Sequence, residues 1–459
     1  MNIVFITTEE ISDIGIDQEP GYISSLSTHV ADLNQNVVVI VPLYNSTQYN
    51  YHKLLETFID FQDKKEQITV YRKTNKNVTH IFIGIYHRIV LKGFDYTEKE
   101  GLLFNYAACE IITRLLPNTD IVITDSTSAA VSQIYMKYSR NRAFFKKIRR
   151  IHMIDSLKEH ATTRIEDLGI SDFRDDIVSI CRTGGKTDLN RGAIICSDRV
   201  LIPSISYGEE LKSESREPRY CHIIRQFAFK FKAVSRGIDY NFNDPACDIS
   251  LKTNYSYHDL GCKSENKLYV QKMLGFEEDK NIPLISMFCK DKSDIDYSLL
   301  TAAIPNIMAN GAQLVICIEG SRRAADLRKH NYKNSKIIEV NNISTKYRIL
   351  SGSDIYISIP PSSPTGKEAK IAARYGAVPV IFSTGALKDS ITYYDRISCN
   401  GNGFTFNTYN SHDMLYTLWD ALCMFRNEND HWQKVIVNAM TSDFSMQKNA
   451  LELVNYISK

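Results

Sequence analysis

The chain has 459 residues, of which 43% are hydrophobic and 24% charged, with a formal net charge of +2. This length supports a large core divided into two or three domains, and near-neutrality argues against a general polyanion binder such as a nucleic-acid protein. Ten cysteines without a C-x-x-C pair predict a reducing compartment and no zinc ribbon or other metal site. There is no run of about 18 apolar residues, and MNIVFITTEE enters a strand without a basic and apolar leader, so a cytoplasmic protein without a membrane span is expected.

In chain order, Ile3 to Thr7, a helix over Ile23 to Leu33 and Val37 to Pro42 read as a βαβ opening. Strands follow at Ile68 to Tyr71 and His80 to Tyr86, then a helix over Glu100 to Leu115 and a strand over Asp120 to Thr124. Tyr138 to Arg150 is the most basic stretch, Arg140 to Arg150 being read as a solvated helix end that leads into the strand Ile148 to Ile154. RTGGKT at Arg182 to Thr187 lacks the first glycine of a phosphate loop, since Ile180 stands there, and reads as a flexible crossing loop. Asn190 to Pro203 is a helix turning into a strand, and Ile282 to Cys289, Gln313 to Ile318 and Lys336 to Val340 are further strands.

The stretch from Ser351 to Ile391 is the most informative. Asp354 to Ile359 suits a buried strand bounded by prolines. Ser363 offers a capping oxygen, Pro364 suits a first helical position and Gly376 closes the helix. After the strand Val378 to Phe382, Thr384, Gly385 and Ala386 form a turn whose amides face an anion at the carboxyl edge of the sheet. From periodicity alone this stretch reads as an ordinary βαβ packing unit rather than a site.

Ser363 to Gly376 followed by VPVIFSTGALKDSI resembles the bacterial glycogen synthase and plant starch synthase family, which there reads E-P-C-G-L-x-Q-x-x-A-x-x-Y-G and T-G-G-L-x-D. Thr253 to Gly275, the Gly237-Ile238-Asp239 join, Gly192 to Val200 and the tail AMTSDFS continue the likeness over nearly the whole chain. The resemblance implies an α/β GT-B fold of two Rossmann-like domains facing across a cleft. Residues 1–240 would form the acceptor side and 241–440 the donor-nucleotide side, with 441–459 packing back on the first. It also implies transfer of glucose from ADP-glucose to an α-1,4-glucan with retention, without metal or other cofactor.

The scaffold positions match, whereas the polar positions of the family site differ. Gly15 stands at the family's lysine, Asp17 to Glu19 at its G-G-L, Thr127 at a histidine, Arg236 at an asparagine, Lys290 at an arginine and Ile295 at a lysine. Ser363 replaces a glutamate and Ala369 a glutamine or glutamate. Arginine to lysine loses a bidentate fork, and with the lysine lost as well roughly 3 kcal/mol or more of donor binding goes. Residual nucleotide contacts would then rest on Lys290, Lys292, Thr384 and Gly385. The expectation is therefore a pseudoenzyme with a structural, scaffolding or regulatory role, binding a protein partner, with a glucan as further ligand, and neither a nucleotide sugar nor nucleic acid. The alternatives are a divergent retaining glycosyltransferase using an ADP-glucose-like donor, and a carbohydrate-binding module.

Overall fold

The computed structural model describes residues 1–10, 19–44, 51–85, 97–157, 161–170, 174–183, 185–290, 297–319, 332–340 and 342–459. Gly15, Asp17, Lys292 and Ile295 lie outside them, and of Lys290 only the backbone is described.

The first half carries β1 (Asn2–Ile6), β2 (Asn36–Pro42), β3 (His52–Phe61), β4 (Lys64–Asn75), β5 (Val78–Ile85), β6 (Ile121–Asp125) and β7 (Arg149–Met153). Short β8 (Thr162–Thr163), β9 (Arg182–Thr183) and β10 (Lys186–Asp188) follow, then β11 (Arg199–Ile202) and β12 (Phe231–Ala233). Nine of these form one sheet in the order β12-β11-β7-β6-β1-β2-β5-β4-β3. From β12 to β5 all neighbours are parallel, and β5-β4-β3 is an antiparallel extension. Runs such as NVVVIVP in β2 are buried on both faces by flanking helices, as a parallel sheet requires. RTGGKT was expected as a loop; Arg182, Thr183 and Lys186 to Asp188 instead pair in a three-stranded sheet with β8. The basic stretch forms a short helix, Arg142–Phe145, that leads into β7. Arg140 there bonds Glu110 at 3.2 Å and Arg150 bonds Asp198 at 2.8 Å.

The second half carries β13 (Leu284–Lys290), β14 (Gln313–Glu319), β15 (Ser335–Glu339), β16 (Ile355–Ser358), β17 (Val378–Phe382) and β18 (Phe404–Phe406), all parallel in the order β15-β14-β13-β16-β17-β18. The motif Thr253 to Gly275 explains itself here. On the helix Gly261–Leu274, Lys263 Nζ reaches the carbonyls of Ser351, Ser353 and Tyr375 at 2.8 to 3.0 Å, and Lys267 pairs with Asp354 at 2.6 Å. Buried ammonium groups need such partners, so these lysines fix where β16 and the Lys367–Arg374 helix start and end.

That helix begins later than its sequence suggests. Gly366, at φ +65°, precedes it, and neither Ser363 nor Pro364 is helical. The Ser363 carbonyl instead accepts the Ala386 amide at 2.8 Å, tying this loop to the turn after β17.

The chain crosses between halves twice, and the crossings touch. Ile238 N donates to Phe444 O and Met446 N to Ile238 O, at 2.8 and 2.9 Å. A Cβ on Gly237 would lie 2.6 Å from Ser445 O, which explains glycine at this join. The final helix Met446–Ile457 packs its buried Met446, Ala450, Leu453 and Ile457 with Ile23, Leu26 and Val30 of the first half. Among the described residues no helix is long and apolar enough to cross a membrane.

Candidate functional site

In a parallel sheet the loops after the strands converge at its carboxyl edge, and here those edges meet. After β1 stands Glu9, Asp125 ends β6 with Thr127 just beyond it, after β7 comes Asp155 and after β12 comes Arg236. The second half contributes Lys290 ending β13, Ser363 after β16, and Thr384 with Gly385 after β17.

Arg236 is the centre of the first wall. It is 6% exposed, its guanidinium lies 3.5 Å from the Tyr22 ring centroid, and it pairs with Asp155 and, at 3.5 Å, with Asp125. Asp125 also accepts Thr7 Oγ1 at 3.2 Å. Glu9 accepts the Ile23 amide at 2.8 Å, which anchors the start of the helix Tyr22–Asp32. Burial and the neighbouring Asp125 push the Glu9 carboxyl up to about 7. The residue at the family's asparagine position is thus a buried cation inside an acidic and aromatic cage. Thr127 is buried in a short 3-10 turn, Thr127–Ala129, beside this cage.

His152, within β7, is buried, with Nδ1 2.9 Å from Thr124 Oγ1, and burial pulls its pKa from 6.5 down to about 3. The folded state therefore refuses a proton that the unfolded chain takes below pH 6.5. Stability is present above that pH and is lost as pH falls towards 3, by about 2 kcal/mol at pH 5. Urea unfolding at pH 7 and pH 5 is expected to show this loss, and His152→Gln to remove it. An unchanged pH difference in the variant would contradict the assignment.

The second wall is held shut by the first. Glu210, on the helix Ile205–Leu211, accepts the Gly385 amide at 2.7 Å and Thr384 Oγ1 at 2.8 Å. The Thr384-Gly385 turn, expected to face an anion, does hold one: a carboxylate of the same chain. Ser206 donates from N and Oγ to Asp389, and Arg216 to Pro361 O at 2.9 Å. Lys367 and Glu19 pair across the halves at 2.7 Å. Both stand where the family pattern has leucine, so each was readable as a charge at an apolar position, but not as half of a pair. Glu210, by contrast, carries no sequence signal.

Ser363 meets the turn through its backbone carbonyl. Ala369 does not reach the cleft, because it is 1% exposed and packs in the core with Tyr356, Tyr375 and Leu387. No group of three or more metal-ligating side chains gathers among the described residues.

The sequence profile of the starch synthase catalytic domain matches residues 22–226. A glycogen synthase of Finegoldia magna is 27% identical over 98% of this chain and 96% of its own length, and one of Desulforamulus reducens is 26% identical over 98% and 97%. A glycogen synthase of Clostridium botulinum is 32% identical over 58% of this chain and 56% of its own. Among solved structures, the catalytic domain of Starch Synthase IV from Arabidopsis thaliana, bound to ADP and acarbose, superposes with a TM-score of 0.88 at 21% identity, covering 100% of this chain and 98% of that one. Sucrose-phosphate synthase from Thermosynechococcus elongatus gives 0.64 at 11% identity, covering 100% and 98%.

These likenesses overturn the expected pseudoenzyme. Relatives named for glycogen synthesis align over almost the entire length. The exclusion of a nucleotide sugar falls with it, and the expected protein partner has no support. The matched profile, the full-length relatives and the shared fold make the chain similar to the glycogen and starch synthases, and its fold is GT-B.

Proposed function

We propose that the protein transfers a sugar from a nucleotide sugar of the ADP-glucose type to an α-glucan or another acceptor, with retention. The observation that carries this reading is the 26 to 27% identity, kept over 98% of the chain, with proteins named glycogen synthase. The two lobes, 1–240 with 441–459 and 241–440, would bring acceptor and donor together across the cleft. The ten unpaired cysteines suit a cytoplasmic setting.

The chemistry asked of such a site is positioning and neutralisation of the leaving diphosphate. The Gly385 amide and Thr384 hydroxyl already grip a carboxylate at 2.7 and 2.8 Å, and a phosphate oxygen displacing Glu210 would meet the same donors. Displacement requires the lobes to part at Ser206 and Lys367. Lys290, at the family's arginine position, and Lys292 are the cations this reading assigns to the diphosphate, Ile295 standing at the family's lysine.

Incubation of the protein with labelled ADP-glucose or UDP-glucose and glycogen is expected to give incorporation, which the double change Lys290→Ala and Lys292→Ala abolishes. Absence of incorporation from either donor, or transfer indifferent to both lysines, would refute the reading.

A further inference from the structure

Behind the cleft, on the hinge side, lies a cavity of about 570 Å³ that the proposed transfer does not use. Arg236 of the first wall is among its lining residues, whereas none of Thr127, Ser363, Thr384 or Gly385 is. Its walls come from both halves: the loops after β11 and β12, the Lys367–Arg374 and Gly385–Ser390 helices, and the final crossing with its helix.

The charges around it are unevenly satisfied. Its three carboxylates already accept hydrogen bonds: Asp389 from Ser206, Glu452 from Ser235 and Asp443 from Ser445. The lysines have no such counterparts. Lys370 is 2% exposed and makes a single hydrogen bond, from Nζ to Arg236 O at 2.7 Å, leaving two ammonium hydrogens without an acceptor among the described residues. Among the described residues Lys232 and Lys459 form no ion pair, and Lys448 Nζ has only the Asp443 carbonyl, at 3.4 Å. A buried ammonium with one acceptor is an expensive arrangement, unlike Lys263, which has several carbonyls. Burial and the neighbouring Arg236 pull Lys370 down to about 8, against the raising effect of the Asp389 and Glu452 carboxylates.

We infer that this hinge pocket binds a small phosphate-bearing ligand, whose oxygens meet Lys370 from one lobe and Lys232, Lys448 and Lys459 from the other side of the hinge. Several charge-assisted bonds to one dianion are the chemistry those four lysines share. Because the ligand would tie Lys370 to groups packed on the opposite lobe, its binding is coupled to lobe closure and so to occupancy of the cleft.

Calorimetric titration of the whole protein with inorganic phosphate, and separately with glycerol 1-phosphate, tests this. Saturable binding is expected, weakened about tenfold in Lys370→Gln and again in the surface double variant Lys448→Ser with Lys459→Ser. A tighter ester assigns the site to a hydroxylated phosphate ester, and equal affinities assign it to free phosphate. If Lys370→Gln does not fold, the surface variant alone decides. No binding at millimolar concentration, or affinity unchanged in the variants, overturns the inference; the latter would place the anion at the Thr384 turn instead.

Discussion

Replacing Arg236 with methionine is expected to lower the unfolding free energy by about 3 to 5 kcal/mol, read as a shift in the urea midpoint at pH 7. Methionine approximates the aliphatic stem but removes the cation that, among the described residues, contacts both Asp125 and Asp155. Asp125 is buried, with its carboxyl already raised by desolvation against the lowering effect of Arg236. Without the guanidinium it must take a proton or remain an uncompensated buried charge. The stacking on Tyr22 at 3.5 Å is lost as well, worth about 2 kcal/mol when desolvated. A midpoint shift of less than about 1 kcal/mol, the usual size for an exposed pair, would mean that the cage is solvated and that Arg236 is not its keystone.

Gly385→Ala is expected to reduce kcat/KM for the nucleotide sugar roughly a hundredfold, the scale of an ångström-sized misplacement of a binding group. Gly385 has φ +48°, and a Cβ there would sit 2.2 Å from Ser363 O and 2.8 Å from Ser363 C. Both obstacles are backbone, so the turn and the Ser363 loop must separate, breaking the Ala386 N to Ser363 O bond and moving the Gly385 amide away from any phosphate. Gly275→Ala is the control. Gly275 has φ +68° with nothing within 4 Å of the added carbon, so it carries a similar conformational strain of about 1 kcal/mol far from the cleft. Equal kinetic effects from both changes would show that the Thr384 turn does not touch the donor.

The strands were legible because they are continuous β-branched runs bounded by turn residues, as with NVVVIVP in β2 and VPVIF in β17. The β3 strand was not, since HKLLETFIDF is largely exposed and polar at the sheet edge, and only its pairing with β4 makes it a strand. Ser363 and Pro364 spelled a helix start, yet Gly366 in the left-handed region delays it, because the Ser363 carbonyl is needed by the next turn.

At the site, residue identities were readable but their partners were not. Arg236 was visible as a departure from the family pattern, while its aspartates stand 111 and 81 positions away, which no local pattern connects. The same holds for Lys367 and Glu19, 348 positions apart, and for Glu210 against the Gly385 amide, 175 apart. Read singly, such replacements looked like erasure of a site. Paired in space, Arg236 and its aspartates form a cage within the first lobe, whereas Lys367 with Glu19 and Glu210 with Gly385 are contacts between the lobes across the cleft.

The most direct test is a calorimetric titration of the full chain with ADP-glucose. Saturable binding at one site, lost in Gly385→Ala and kept in Gly275→Ala, is the predicted result. A flat titration with ADP-glucose, repeated with UDP-glucose, would contradict the assignment of this cleft to a nucleotide sugar.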